Sequence, residues 1–167
     1  QEETQAVCVV SDKPELAEKL SCRVINEAIN GSGPLPPAGQ NEIGSIVYTS
    51  GSTGRPKGVI QKAETLIDGA ARVAAALGYQ GGDRILCPVP FAFDYGWGQL
   101  LSLLFQRMTL VLPSPNNAFG VCHAITQHKP TIFAGVPAVF SNLMSGLSPI
   151  RETDCSSIRL ITNTGSR

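Results

Sequence analysis

The chain has 167 residues, 43% hydrophobic and 16% charged, which is enough apolar side chain for a packed core and excludes a disordered segment. Thirteen Lys plus Arg offset thirteen Asp plus Glu, so the chain as a whole has no electrostatic grip on nucleic acid or an anionic membrane. The five cysteines (Cys8, Cys22, Cys87, Cys122 and Cys155) have no CxxC spacing and read as reduced thiols. With an acidic start unlike a signal peptide and no apolar run of membrane-spanning length, the expected compartment is the cytoplasm and no membrane span is expected. The opening at Gln1 and the end at Arg167, just after an apolar run, look like cuts from something longer.

In chain order, Ala6 to Val10 is an apolar run of strand length. Asp12 and Glu15 form a helix start signal, and Leu16, Leu20, Val24 and Ala28 recur at helical spacing. On that helix Lys13, Lys19, Arg23 and Glu27 read as a solvated face. Gly31 to Gln40, with three Pro and three Gly in ten residues, reads as a linker. Beyond it, the spacing predicts a strand at Ile46–Tyr48 and a Gly-rich loop over Gly51–Gly58, with Gly58–Ile60 resembling another strand. An amphipathic helix from Ala63 to Leu77, closed by Gly78, comes next. Strands at Arg84–Cys87, Thr109–Leu112, Thr131–Phe133 and Ile158–Thr162 then alternate with helices at Gly96–Gln106, Phe119–His128 and Ala138–Leu147. That alternation predicts an α/β fold: three layers, with a mostly parallel sheet flanked by helices. The expected division is 1–40, a strand-helix and linker, and 41–167, the domain that carries the motif.

The motif is Tyr48 to Gly58, YTSGSTGRPKG. Thr49, Ser50, Ser52 and Thr53 supply hydroxyls, and Gly51, Gly54 and Gly58 allow close approach of the backbone to a ligand. Successive backbone N–H groups in such a turn make an anion-binding nest. Lys57 adds a positive charge, and Pro56 stiffens the exit of the loop. The chemistry indicated is binding of a nucleotide triphosphate tail. The order differs from a P-loop, where Gly-Lys-Ser/Thr opens a helix; here Lys57 lies between Pro56 and Gly58, so the loop is expected to join two strands.

These eleven residues resemble the signature of the adenylate-forming superfamily, which includes acyl-CoA synthetases and amino-acid adenylation domains. Phe91-Ala92-Phe93-Asp94-Tyr95 resembles its acid-pocket segment. Thr131 to Pro137 is similar to its strand ending in Val-Pro, and Ile158 to Gly165 to the strand before its adenine-side turn. The resemblance implies an ATP-dependent acid–thiol ligase: a small carboxylic acid is activated as an acyl-adenylate with release of pyrophosphate, then passed to CoA or to pantetheine on an acyl or peptidyl carrier protein. It implies that Thr49, Ser50, Gly51, Ser52, Thr53, Gly54 and Lys57 hold ATP with Mg²⁺, Thr49 and Lys57 acting in catalysis. Phe93, Asp94, Tyr95 and Gly165 would line the acid pocket. Gln61, Lys62 and Ala63 stand where relatives often place a His.

Asp94 has two readings: it binds the α-amino group of an amino-acid substrate, or it caps a helix beginning near Gly96. Trp97 reads as core packing. His123 and His128, five apart on a helix, suit no metal site, and no protein metal ligands are expected. The family's Tyr-Gly-x-Thr-Glu motif, ribose-binding Asp and C-terminal domain with its Lys would all follow Arg167. The 167 residues alone are therefore expected to be inactive, as part of an AMP-forming ligase. The alternatives are an amino-acid adenylation domain, or a remnant or scaffold that retains the fold without the reaction.

Overall fold

A computed structural model describes residues 8–10, 23–25, 42–49 and 56–165. The chain forms two compact units, Gln1–Pro37 and Ala38–Arg167. In the first, β1 (Cys8–Val10) and β2 (Arg23–Ile25) pair in parallel, Val9 opposite Val24. The helix expected through Val24 is thereby overturned at that residue, and Arg23 lies on a strand rather than a helix face. Arg23-Val24-Ile25 carries two consecutive β-branched residues, which fit a pleated strand better than a helical turn. The helix start at Asp12, the remaining positions of that helix and the linker at 31–40 lie outside the described residues.

The second unit opens with an antiparallel pair, β3 (Ile43–Thr49) and β4 (Lys57–Lys62), with Thr49 opposite Lys57. The expected strand-to-strand connection is therefore present. Helix α1 (Ala63–Leu77) follows directly and ends at Gly78 in the left-handed conformation, whose N–H satisfies the Ala74 and Ala75 carbonyls. Ala70 and Ala74 of its apolar stripe are buried, whereas Ile67 and Val73 are exposed.

Then come β5 (Arg84–Leu86), α2 (Asp94–Gln106), β6 (Thr109–Val111), α3 (Ala118–His128), β7 (Ile132–Gly135), α4 (Pro137–Leu143) and β8 (Leu160–Asn163). The four strands form a parallel sheet in the order β6-β5-β7-β8. Alternation along the strands divides the core. Ile85, Ile132 and Ala134 face one cluster with Ala74, Tyr79 and Met108, against which Leu77 of α1 and Leu103 of α2 pack. Leu86, Val111 and Phe133 face the other, with Val121, Cys122, Ala124 and Ile125 of α3 and Leu143 of α4. The result is three layers, helices on both faces of a parallel sheet. Fully burying one such Ile or Leu contributes roughly 1.5–3 kcal/mol, so the sheet's inner residues dominate the stability of this unit. Among the described residues no helix is long and apolar enough to cross a membrane.

The chain leaves β5 toward the α1–α2 face and β7 toward the α3–α4 face. Neighbouring strands whose connections depart to opposite faces open a crevice at their carboxyl ends, where open α/β sheets bind ligands.

Candidate active site

Three predicted segments converge on that end of the sheet. The residues after β5, Cys87 to Phe93, carry the chain into α2, whose first helical residue is Asp94. The Val136-Pro137 turn follows β7, and Gly165 follows β8. Gly165 has φ +107°, and a Cβ built there would lie 3.7 Å from Pro137 Cδ, so the two turns are neighbours. Tyr95 ties α2 to β8: its hydroxyl meets Thr162 Oγ1 at 2.6 Å, and burial pushes its phenol pKa upward. Below it, the buried Tyr79 hydroxyl donates to Gln99 Oε1 at 3.1 Å, and burial pushes Tyr79 up to about 12. These phenols remain protonated at neutral pH and serve as hydrogen-bonding struts.

The start of α2 departs from expectation. Asp94 is not the helix cap; that position belongs to Phe93, whose side chain makes no cap bond. Asp94 sits in the first turn, where a carboxylate is favoured by the helix dipole, and its side chain has no hydrogen-bond or ion-pair partner among the described residues. The helix starts two residues early because Gly96 lets α2 press onto the preceding loop. A Cβ at Gly96 would lie 2.5 Å from the Pro90 carbonyl oxygen and 2.8 Å from that of Val89.

A cavity of about 380 Å³ lies between β3 and this segment, lined by Ser45, Ile46, Val47, Tyr48, Phe91, Ala92, Asp94 and Trp97. A groove of about 320 Å³ between α1 and α2 shares Asp94 and Trp97 with it and is also lined by Tyr95. The two spaces thus meet at the first turns of α2. Trp97, expected as core packing, is half-buried on this boundary, and its buried indole Nε1 has no partner among the described residues. The spacing of Asp94, Trp97, Gly98 and Leu101 puts them on one helix face, a signal present in the sequence that assigning Trp97 to the core had obscured.

Of the predicted phosphate residues, Thr49 and Lys57 are exposed cross-strand partners where the hairpin arms part. The Thr49 hydroxyl lies 3.4 Å from the Lys57 carbonyl oxygen. Ser50, Gly51, Ser52, Thr53 and Gly54 lie outside the described residues. Of the predicted pocket residues, Asp94 lines both spaces and Tyr95 the groove, whereas Phe93, 63% exposed, lines neither. Gly165 is beside Pro137 and lines neither. Phe91 and Trp97 belong to the site in addition. Both histidines of α3 are exposed, and no cluster of three or more His, Cys, Asp or Glu is placed to hold a metal among the described residues.

The family model for AMP-binding enzymes matches residues 1–167. The chain is 34% identical over 125 residues to the 2-succinylbenzoate–CoA ligase of Bacillus pumilus, covering 68% of this chain and 26% of that protein. It is 29% identical over 137 residues to a nonribosomal peptide synthetase of Emericella nidulans, covering 76% of this chain and 8% of that protein. It superimposes on the solved structure of O-succinylbenzoate coenzyme A synthetase from Bacillus subtilis in complex with AMP with a TM-score of 0.77 and 26% identity, over 98% of this chain and 44% of that one. The chain spans about a quarter or less of the length of these two curated relatives. With a family model matching throughout and a parallel-sheet fold shared with a CoA synthetase, the chain belongs to the AMP-binding enzyme family of the adenylate-forming superfamily.

Proposed function

We propose that the protein is part of an ATP-dependent acid–thiol ligase. The carboxylate of a small acid attacks the α-phosphate of ATP and pyrophosphate leaves; a thiol, on CoA or a carrier-protein pantetheine, then attacks the acyl carbon of the adenylate and AMP leaves. The observation that carries the reading is the cavity joining β3, which leads into the Thr49–Lys57 loop, to Asp94 and Trp97 of α2. This supports a reading in which β3 leads from an acid pocket into a phosphate-binding loop. Thr49, Ser50, Gly51, Ser52, Thr53, Gly54 and Lys57 hold the triphosphate, with Lys57 and Thr49 stabilising charge on the departing pyrophosphate. Mg²⁺ bound to the ATP phosphates would supply further neutralisation of their charge. Residues 41–167 form part of the AMP-binding domain, acting in the cytoplasm. The test is ATP–pyrophosphate exchange by the full-length protein over a panel of carboxylic acids, with Lys57→Ala as comparison. Acid-dependent exchange that falls on the order of a hundredfold in the variant supports the reading. Exchange with no acid, or an unchanged rate in the variant, sinks it.

Amino-acid adenylation is the second reading, and the geometry of Asp94 favours it. A carboxylate with no partner among the described residues, at the junction of both spaces, suits a substrate ammonium group.

A further inference from the structure

Among the described residues, one side-chain hydrogen bond joins α2 to β8: the Tyr95 and Thr162 hydroxyls meet at 2.6 Å. Thr162 is buried and lines neither the hairpin-side cavity nor the α1–α2 groove. It lies opposite Ala134 of β7, just before the Gly165 turn, which neighbours Pro137. Tyr95 follows Asp94 directly, in the first turn of α2. The helix is pinned elsewhere as well. One turn further on, Gln99 accepts from the buried Tyr79 hydroxyl, and Gly96 presses on the Val89 and Pro90 carbonyls. Of these contacts only the Tyr95–Thr162 bond reaches the strand that runs into the Gly165 turn. It therefore sets the separation between Asp94 and that turn. Thr162 is shielded from water, so no solvent molecule replaces the bond when Tyr95 loses its hydroxyl.

We infer that Tyr95 and Thr162 are a positioning pair for adenylate formation: their hydrogen bond holds the first turn of α2 at the distance from the Gly165 turn at which the acid carboxylate and the α-phosphate meet in attack geometry. The inference rests on the ligase reading above. Thr162 acts through Tyr95, because it lines neither space itself. Attack geometry is sensitive to such a tie, since a misplacement of about 1 Å can cost on the order of a hundredfold in rate.

The test is acid-dependent ATP–pyrophosphate exchange by the full-length protein, with melting curves, for wild type, Tyr95→Phe, Thr162→Val, the double variant carrying both, Thr162→Ser and Tyr79→Phe. Tyr95→Phe and Thr162→Val should each lower kcat by roughly tenfold, with the KM for ATP changed less than about twofold. The double variant should be no slower than the slower single variant, because both substitutions remove the same bond. It should melt closer to wild type than Tyr95→Phe does, since it leaves no buried hydroxyl unpaired, and yet remain slow. Thr162→Ser keeps the hydroxyl and should stay within about twofold of the wild-type rate. Tyr79→Phe should melt lower at an unchanged kcat. A kcat that follows melting temperature through the series overturns the inference, as does a double variant that regains the wild-type rate or an equal loss in Tyr79→Phe. Each of these outcomes leaves the ligase reading standing. No exchange by wild type with any acid removes the ligase reading, and the inference with it.

Discussion

Asp83→Asn isolates the network that holds the sheet together at the end away from the site. Asp83 is 6% exposed and accepts from Thr131 Oγ1 at 2.7 Å, from the Gln80 N–H at 2.8 Å and from Arg159 Nε at 3.2 Å. A second Arg159 contact, from Nη2 to Asp83 Oδ2, completes a bidentate pair, and Nη2 also donates to the Gly78 carbonyl at 2.9 Å. One carboxylate therefore links the end of α1 with the residues entering β5, β7 and β8. Asparagine preserves the shape but removes the charge and sets a donor against donors. Charge-assisted hydrogen bonds contribute about 1.5–3 kcal/mol, and breaking a fully buried pair costs about 3–5. Because the Arg159 side chain is 39% exposed, water takes up part of its charge, and a loss of about 2–3 kcal/mol is expected.

For a domain of this size that lowers the melting temperature by about 5–10 °C at pH 7. The pH dependence sharpens the test. Burial pushes the Asp83 carboxyl up, but Arg159, Thr131 and the Gln80 N–H outweigh it and hold it below the usual aspartate range. A carboxyl with a lowered folded-state pKa contributes stability above its unfolded value of about 3.9, and loses it as pH falls through the folded value. Melting curves of wild type and variant should therefore separate at pH 7 and converge in acid. Equal melting temperatures at pH 7, or a gap that widens toward low pH, would refute the network's role.

Lys57→Ala should slow ATP–pyrophosphate exchange on the order of a hundredfold, since one preorganised charge-stabilising donor is typically worth about 2.7–4 kcal/mol; an effect under threefold would remove Lys57 from the phosphate site. Gly96→Ala should cost about 1–3 kcal/mol in chemical denaturation, because overpacking against two backbone carbonyls outweighs alanine's better helix propensity of about 1 kcal/mol. An unchanged midpoint would show that α2 does not approach the Pro90 loop so closely. Asp94→Ala should change stability by at most about 1 kcal/mol, the range of a first-turn dipole contact, and should abolish exchange with amino acids more than with simple acids. A uniform loss across the panel would speak against an ammonium-binding role.

The local elements were legible in the sequence wherever one chemical pattern dominated. The α1 stripe with Gly78 at its end, the alternation of short apolar strands with helices and the strand-loop-strand setting of Lys57 all follow from periodicity and turn chemistry within a few residues. They need no partner from elsewhere in the chain. Where two patterns competed, tertiary contact decided. Val24 occupies both a helical period and a β-branched pair, and pairing with β1 resolves it as strand. Asp94 has a capping residue's chemistry, but Gly96 lets the helix start earlier by packing on Pro90, and this turns the carboxylate from cap to cleft. Trp97 reads as core by composition, yet the meeting of α1, α2 and β3 leaves it on the boundary of two cavities. The proposed phosphate-binding loop was legible because its residues, YTSGSTGRPKG, are contiguous. The space beside Asp94 and Trp97 was not, because its walls come from β3 and α2, which only the folded chain brings together.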